Sequence, residues 1–316
     1  FIVDCSGFQG LIIRKAMNEP FIDYSDSLPC DRALALQVPH DEEAPLPAYT
    51  TSTALSAGWS WSVPLFSRRG TGYVYSSKFA SEEDATREYL NFLGVDESSA
   101  TPASIKMNVG RSQRSWVNNC VAVGLAGGFV EPLESTSIHF VQMSLRWLLD
   151  NFPDRDCSPP LRNSYNGLVQ TLYEEIRDFI VMHYALSNRD DTPFWKSASA
   201  DLELSDWLRE KLDLWRYKMP SPTDCTNRLS LFSEWSYIYV LYGKHYFDDV
   251  TFALEDAIGD QDFDEFLTDL DRRRQQMMAR SPDHRQLLTA LRAAAQTPWY
   301  RSEGTQLSRS SGAALV

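Results

Sequence analysis

The segment Gly124 to Ser137, Gly-Leu-Ala-Gly-Gly-Phe-Val-Glu-Pro-Leu-Glu-Ser-Thr-Ser, concentrates the residue types most able to do chemistry. An apolar run over 117–123 reads as a buried strand leading into it. The spacing of Ile138, Val141, Leu145, Leu148, Leu149 and Phe152 predicts a helix leading out, from near Ser135 to Pro153. Glycines at this junction let backbone approach a bulky ligand. The helix start presents free N–H groups around Thr136 and Ser137, and the positive end of its dipole favours an anion, of which a halide is one. Glu134 stands just ahead of that turn. Held against apolar surface, its pKa would rise toward values useful in acid–base work. The plainer reading is that Ser135 or Thr136 caps the helix and that Glu131 and Glu134 favour its dipole.

A second constellation is Gly58-Trp59-Ser60-Trp61-Ser62-Val63-Pro64. On a strand, two tryptophans at i and i+2 share a face. Without further context they read as a pair of core or edge aromatics.

The rest of the composition narrows the classes. A net charge of −13, with no long basic run, speaks against nucleic acid. No apolar run nears the roughly 20 residues of a membrane-spanning helix, so no membrane association is expected. Five scattered cysteines (Cys5, Cys30, Cys120, Cys157, Cys225) with no C-x-x-C read as reduced cytoplasmic thiols. Five histidines (His40, His139, His183, His245, His284) show no i,i+4 pair, so no metal site is expected.

The elements that must position these residues follow from periodicity. Strands are expected at 1–3, 33–38, 50–55, 58–64, 73–76, 105–109 and 117–123. Arg68-Arg69-Gly70-Thr71-Gly72 should form a turn, and 11–17 a short helical stretch. Ser81-x-x-Asp84 outlines a capping box for a helix to about Leu93. Beyond about residue 160 strand signals vanish, and helices are expected over 168–184, 204–215, 236–242, 263–278 and 284–295, with a flexible tail after Tyr300. The fold class is therefore mixed α/β. Residues 1–155 are expected to form a mixed α/β module, and 156–316 a helical one.

The assignment of ligands to those modules comes from a resemblance. Gly58–Pro64 resembles the W-x-W-x-I-P signature of flavin-dependent, tryptophan-type halogenases, with Val63 in place of Ile. Gly124–Ser137 resembles their G-L-x-x-x-F-V-E-P-L-E-S-T-G-I segment, with Ser137 in place of Gly. Asp4–Leu11, Cys30–Ala33, Glu175–Phe179 and His183-Tyr184 are also similar to family segments, so the likeness covers roughly residues 1–250.

The resemblance implies a remnant of an FAD-dependent monooxygenase-like module with a helical C-terminal domain. It makes Glu134 the catalytic acid, Thr136 and Ser137 the halide-binding residues, and Leu125, Ala126, Gly127 and Ile138 the flavin contacts. Trp59 and Trp61 line the tunnel between flavin and substrate, and Phe232 stands at the substrate. The implied activity is FADH2-dependent chlorination or bromination of an electron-rich aromatic or indole through hypohalous acid. It requires O2, chloride or bromide, and reduced FAD from a transient flavin reductase partner; a homodimer is an admissible assembly.

Several departures shape the expectation. No G-x-G-x-x-G precedes a helix, and no lysine lies in the context of the family's catalytic lysine. Residue 1 is Phe within an apolar strand, so an upstream segment is expected to be missing. Members acting on free tryptophan carry a tyrosine pair and a Glu-x-x-x-Phe-Trp run. Here Asn227-Arg228-Leu229-Ser230-Leu231-Phe232 stands instead, which favours free indole or a larger aromatic. Two other readings remain: a flavin-dependent aromatic hydroxylase, and a truncated non-catalytic homologue.

Overall fold

The early apolar runs build strands, and the long 3.6-period runs that follow build helices. A computed structural model describes residues 1–40, 44–225, 229, 231–252 and 260–295. The strands are β1 (Ile2–Asp4), β2 (Phe21–Asp23), β3 (Arg32–Val38), β4 (Thr51–Leu55), β5 (Gly58–Pro64), β6 (Arg69–Tyr75), β7 (Ala103–Lys106), β8 (Gly110–Ser112), β9 (Trp116–Val117), β10 (Cys120–Ala122) and β11 (Gly128–Phe129). They form three sheets, ordered β1-β10-β9, β11-β8-β2 and β4-β5-β6-β3-β7. β1 runs parallel to β10 with Val3 opposite Val121, and β8 pairs antiparallel with both β2 and β11.

The helices are α1 (Glu82–Leu93), α2 (Ser137–Asp150), α3 (Pro159–Ala185), α4 (Pro193–Ala200), α5 (Asp206–Leu214), α6 (Glu234–Gly243), α7 (Asp260–Arg280) and α8 (His284–Ala295). Ser81 Oγ accepts the Asp84 N–H at 3.1 Å, as its capping box requires. α3 begins earlier than its periodicity suggests, because Pro159 and Pro160 occupy a first turn that needs no amide donors. Its buried Tyr165, Val169, Leu172, Ile176 and Phe179 form the stripe around which a large apolar core assembles. Among the described residues every strand precedes residue 130 and every later element is helical. The chain is thus mixed α/β with a helical C-terminal region. No helix among the described residues is long and apolar enough to cross a membrane, and the five cysteines form no disulfide with one another.

Three local expectations change. The run 117–123 is not one strand: β9 and β10 form a hairpin, turning at Asn118 with φ +49. Asparagine tolerates that left-handed conformation, and the flanking apolar residues hid the turn. Arg69–Gly72 lies within β6, and the turn is shorter, closed by the Leu65 N–H donating to Arg68 O at 2.9 Å. The apolar start of the chain is not buried: Phe1 is 51% and Val3 43% exposed, where β1 pairs with β10. The tail after Tyr300 lies outside the described residues.

The chain divides into two compact units. The first comprises Phe1–Leu36, Ser52–Trp61 and Gly72–Ala257, and the second Gln37–Thr51, Ser62–Thr71 and Ile258–Val316. In the second, His284 on α8 contacts Pro47 O at 3.0 Å and Arg292 stacks over the Phe66 ring. The residues treated below belong to the first unit.

Candidate functional site

The loop between β10 and α2 is shaped by a few backbone demands. Gly124, at φ +65, opens a tight turn over Gly124–Ala126, closed by the Gly127 N–H on Gly124 O at 2.9 Å. Gly128 follows in β11, where a Cβ would fall 2.5 Å from Gly110 O. Pro132–Glu134 makes one 3-10 turn, and Ser135 reverses it in a left-handed conformation at φ +53. Ser137 is the first residue of α2 and is not among the positive-φ residues, so a serine fits here without strain.

No side chain caps α2. Its first N–H groups and its dipole are therefore left for another acceptor. Beside them lies a cavity of about 70 Å³ whose wall includes Gly124, Leu125, Thr136, Ser137, Phe140 and Tyr173. That space suits a monatomic anion and is far below the roughly 300–1,000 Å³ of a pocket for a larger ligand. A planar ring would have to lie against the rim. There Leu125 is 36% exposed, and Ile138, one residue beyond the wall, is 76% exposed. Ala126 instead packs behind the turn with Ile13, Val117 and Ala122, and Gly127 O accepts the Ser112 N–H at 2.7 Å. The residues present thus fit one apolar edge of a flavin and a halide.

Glu134 and Glu131 diverge sharply. Glu134 is 32% exposed in its side chain, and its Oε1 lies 3.1 Å from His183 Nε2. His183 Nδ1 sits 2.8 Å from Phe179 O. A carbonyl can only accept, so Nδ1 carries the hydrogen of that contact, and Nε2 is the nitrogen turned toward Glu134. Glu134 and His183 are therefore in direct contact through their polar atoms. Glu131 is fully buried. Its Oε1 accepts from Trp59 Nε1 at 3.2 Å and from the Tyr184 hydroxyl at 2.7 Å. Burial pushes its pKa up to about 7 against the lowering effect of those two bonds. It is therefore not the helix-dipole partner that its position ahead of α2 suggests.

The tryptophans share a face as expected, with ring centroids 6.1 Å apart. Trp59 is buried and Trp61 partly so. Gly72 on β6 makes room for Trp61, since a Cβ there would meet its ring at 1.9 Å. Phe232 is buried and stacks on Phe179 at 3.8 Å, and Phe179 meets His183 edge-on at 5.1 Å. The Glu175 carboxylate on α3 accepts the N–H groups of Leu229, Leu231 and Phe232, which fixes that loop. Asn227, Arg228 and Ser230 lie outside the described residues.

The fold thus gathers Trp59, Glu131, Glu134 and Phe232 around the last turns of α3. Sequence reasoning assigned no role to His183, Tyr184 or Phe179. The available signal was their resemblance to family segments, which carried no geometry. Among the described residues no cluster of three His, Cys, Asp or Glu could hold a metal ion.

Known proteins resemble this chain in sequence and in fold. The family model described as tryptophan halogenase matches residues 1–260. Tryptophan 7-halogenase RebH of Lentzea aerocolonigenes is 47% identical over 218 residues, 69% of this chain and 41% of that protein. Tryptophan 6-halogenase SttH of Streptomyces toxytricini is 42% identical over 242 residues, 76% of this chain and 46% of that protein. Its crystal structure matches with a TM-score of 0.83 at 36% identity, covering 91% of this chain and 56% of that one. BrvH, a flavin-dependent halogenase from Brevundimonas sp. BAL3, matches with a TM-score of 0.84 at 34% identity, covering 92% and 58%. The chain therefore spans less than half the length of these two curated relatives. In sequence and in fold, the chain belongs to the tryptophan halogenase family.

Proposed function

We propose that the complete protein is an FADH2-dependent halogenase of the cytoplasm, chlorinating or brominating an electron-rich aromatic such as indole through hypohalous acid. Residues 1–155 contribute flavin and halide contacts, and 156–316 cap the substrate. One observation carries the reading: the Glu134 carboxyl stands 3.1 Å from His183 Nε2 immediately ahead of the uncapped start of α2. Reduced FAD, delivered by a separate flavin reductase, supplies the electrons with which O2 is activated.

The chain's own residues do the rest. Thr136 and Ser137 hold chloride or bromide on backbone N–H groups. Leu125 and Ile138 offer apolar contact to the flavin edge, with Ala126 and Gly127 shaping the turn behind them. Trp59 and Trp61 separate the substrate from the site of oxidation and exclude water. Phe232, stacked on Phe179, walls the substrate side. At the arene, carbon gains the halogen of hypohalous acid, whose oxygen takes a proton from the Glu134 carboxyl and leaves as water. The displaced ring proton then passes to the Glu134 carboxylate and restores it, beside His183.

The test uses the full-length protein with FAD, a flavin reductase, bromide and indole, analysed by mass spectrometry. Bromoindole is expected. Hydroxyindole as the product would favour a hydroxylase, and no product at all a non-catalytic role.

A further inference from the structure

We propose that Glu131 is a positioning residue: with Tyr184 it fixes the indole of Trp59 in one orientation, and so sets how much oxidised halogen reaches the substrate instead of escaping. The proposal rests on the halogenase reading above and deepens it. Glu131 is 0% exposed, in a setting where a leucine would fill the volume without taking a carboxyl out of water. What the carboxyl adds is direction. A single oxygen, Oε1, receives both the Trp59 N–H at 3.2 Å and the Tyr184 hydroxyl at 2.7 Å, while Oε2 has no partner.

Tyr184 is itself held firmly. Its hydroxyl lies 3.4 Å from Cys30 Sγ, and its ring packs 6.0 Å from Trp195 and 6.1 Å from Phe194. The two tryptophans are therefore fixed by different means. Trp61 is seated over the bare backbone of Gly72. Trp59, buried against the same sheet, is anchored through a polar contact to the loop that carries Glu134. Without that acceptor the Trp59 N–H would be buried and unpaired, and the ring would turn to find another. The chain Tyr184–Glu131–Trp59 thus couples α3 and the halide-site loop to the aromatic barrier.

The experiment measures, in the full-length protein with reductase, bromide and indole, the ratio of free hypobromous acid (trapped by monochlorodimedone) to bromoindole. Glu131→Leu is expected to raise this ratio about 10-fold or more, the scale on which small misplacements act. Tyr184→Phe should raise it less. Glu131→Gln, which keeps an accepting Oε1, should stay within about twofold of wild type. In parallel, the Trp59 indole N–H resonance, assigned through Trp59→Phe, is followed without turnover. Its shift and slow solvent exchange should be lost in Glu131→Leu and kept in Glu131→Gln. An unchanged ratio in Glu131→Leu, with activity and thermal stability falling together, would reduce Glu131 to a packing group and overturn the proposal. An indole resonance indifferent to Glu131 would overturn it alone. A wild type that makes no bromoindole while the resonance still responds to Glu131 would sink the halogenase reading and the partition claim with it.

Discussion

Glu131 and Glu134 are separated only by Pro132 and Leu133, yet they occupy opposite environments. Glu131 is sealed between Trp59 and Tyr184, with one oxygen doubly bonded and the other unpartnered. Glu134 faces partly outward beside His183 and the first turn of α2. The single 3-10 turn over Pro132–Glu134 sends one carboxyl into the core and the other to the surface. On the proposed reading, identical groups divide into an anchor and a proton carrier, and environment, not chemistry, makes the division.

That contrast can be broken in several ways. The largest effect belongs to Glu134. Glu134→Gln keeps shape and hydrogen bonding but cannot take the ring proton, so indole halogenation should fall about 10²–10⁴-fold in steady-state assays. A rate within twofold of wild type would remove it from the chemistry.

Next comes the pH dependence of folding. Burial raises Glu131 from 4.5 to about 7, so the folded protein keeps a proton there that the unfolded chain releases. Between those values the folded state binds more protons. The contribution is therefore fully present below the unfolded pKa and is lost as pH rises toward the folded one. A shift of that size corresponds to on the order of 3 kcal/mol. Urea denaturation at pH 4.5 and pH 7.5 should show wild type losing stability relative to Glu131→Gln by roughly that amount. Parallel behaviour of the two proteins would mean that Glu131 is not buried as a neutral acid.

A smaller effect sharpens the other side. His183→Phe should lower kcat about tenfold, the equivalent of one strong hydrogen bond, and should alter the pH–rate profile. His183→Gln should recover part of the loss. A drop in thermal stability without a changed pH profile would make His183 a packing residue. The smallest effect concerns the halide. Because the proposed donors are backbone N–H groups, Thr136→Ala and Ser137→Gly should leave the bromide KM within about twofold. A tenfold rise would move halide recognition onto the hydroxyls.

Much of this frame was legible in the sequence, and the gaps have physical causes. Gly58–Pro64 was delimited to the residue because its ends are a glycine and a proline. The turn from β10 to α2 was legible because Gly124, Gly127 and Gly128 interrupt the apolar run ahead of a helical period. The β9–β10 hairpin was not, since its Asn118-Asn119 turn interrupts two apolar strands of two and three residues. The pairing of Glu131 with Trp59 spans 72 residues and that with Tyr184 spans 53. No local period reports contacts at that separation, so Glu131 read as a helix-entry charge. The same distance problem hid His183, which reaches Glu134 only because α3 packs against the loop.

The division of labour between the two glutamates is tested most directly by a single-turnover reaction of full-length Glu134→Gln and Glu131→Gln. Reduced FAD, bromide and O2 are supplied, and bromoindole and trapped hypobromous acid are quantified together. Glu134→Gln is expected to yield hypobromous acid near the wild-type amount with bromoindole formation slowed about 10²–10⁴-fold, while Glu131→Gln keeps wild-type partitioning. Equal losses of bromoindole from both variants would contradict the division and make Glu134 a structural acid like its neighbour.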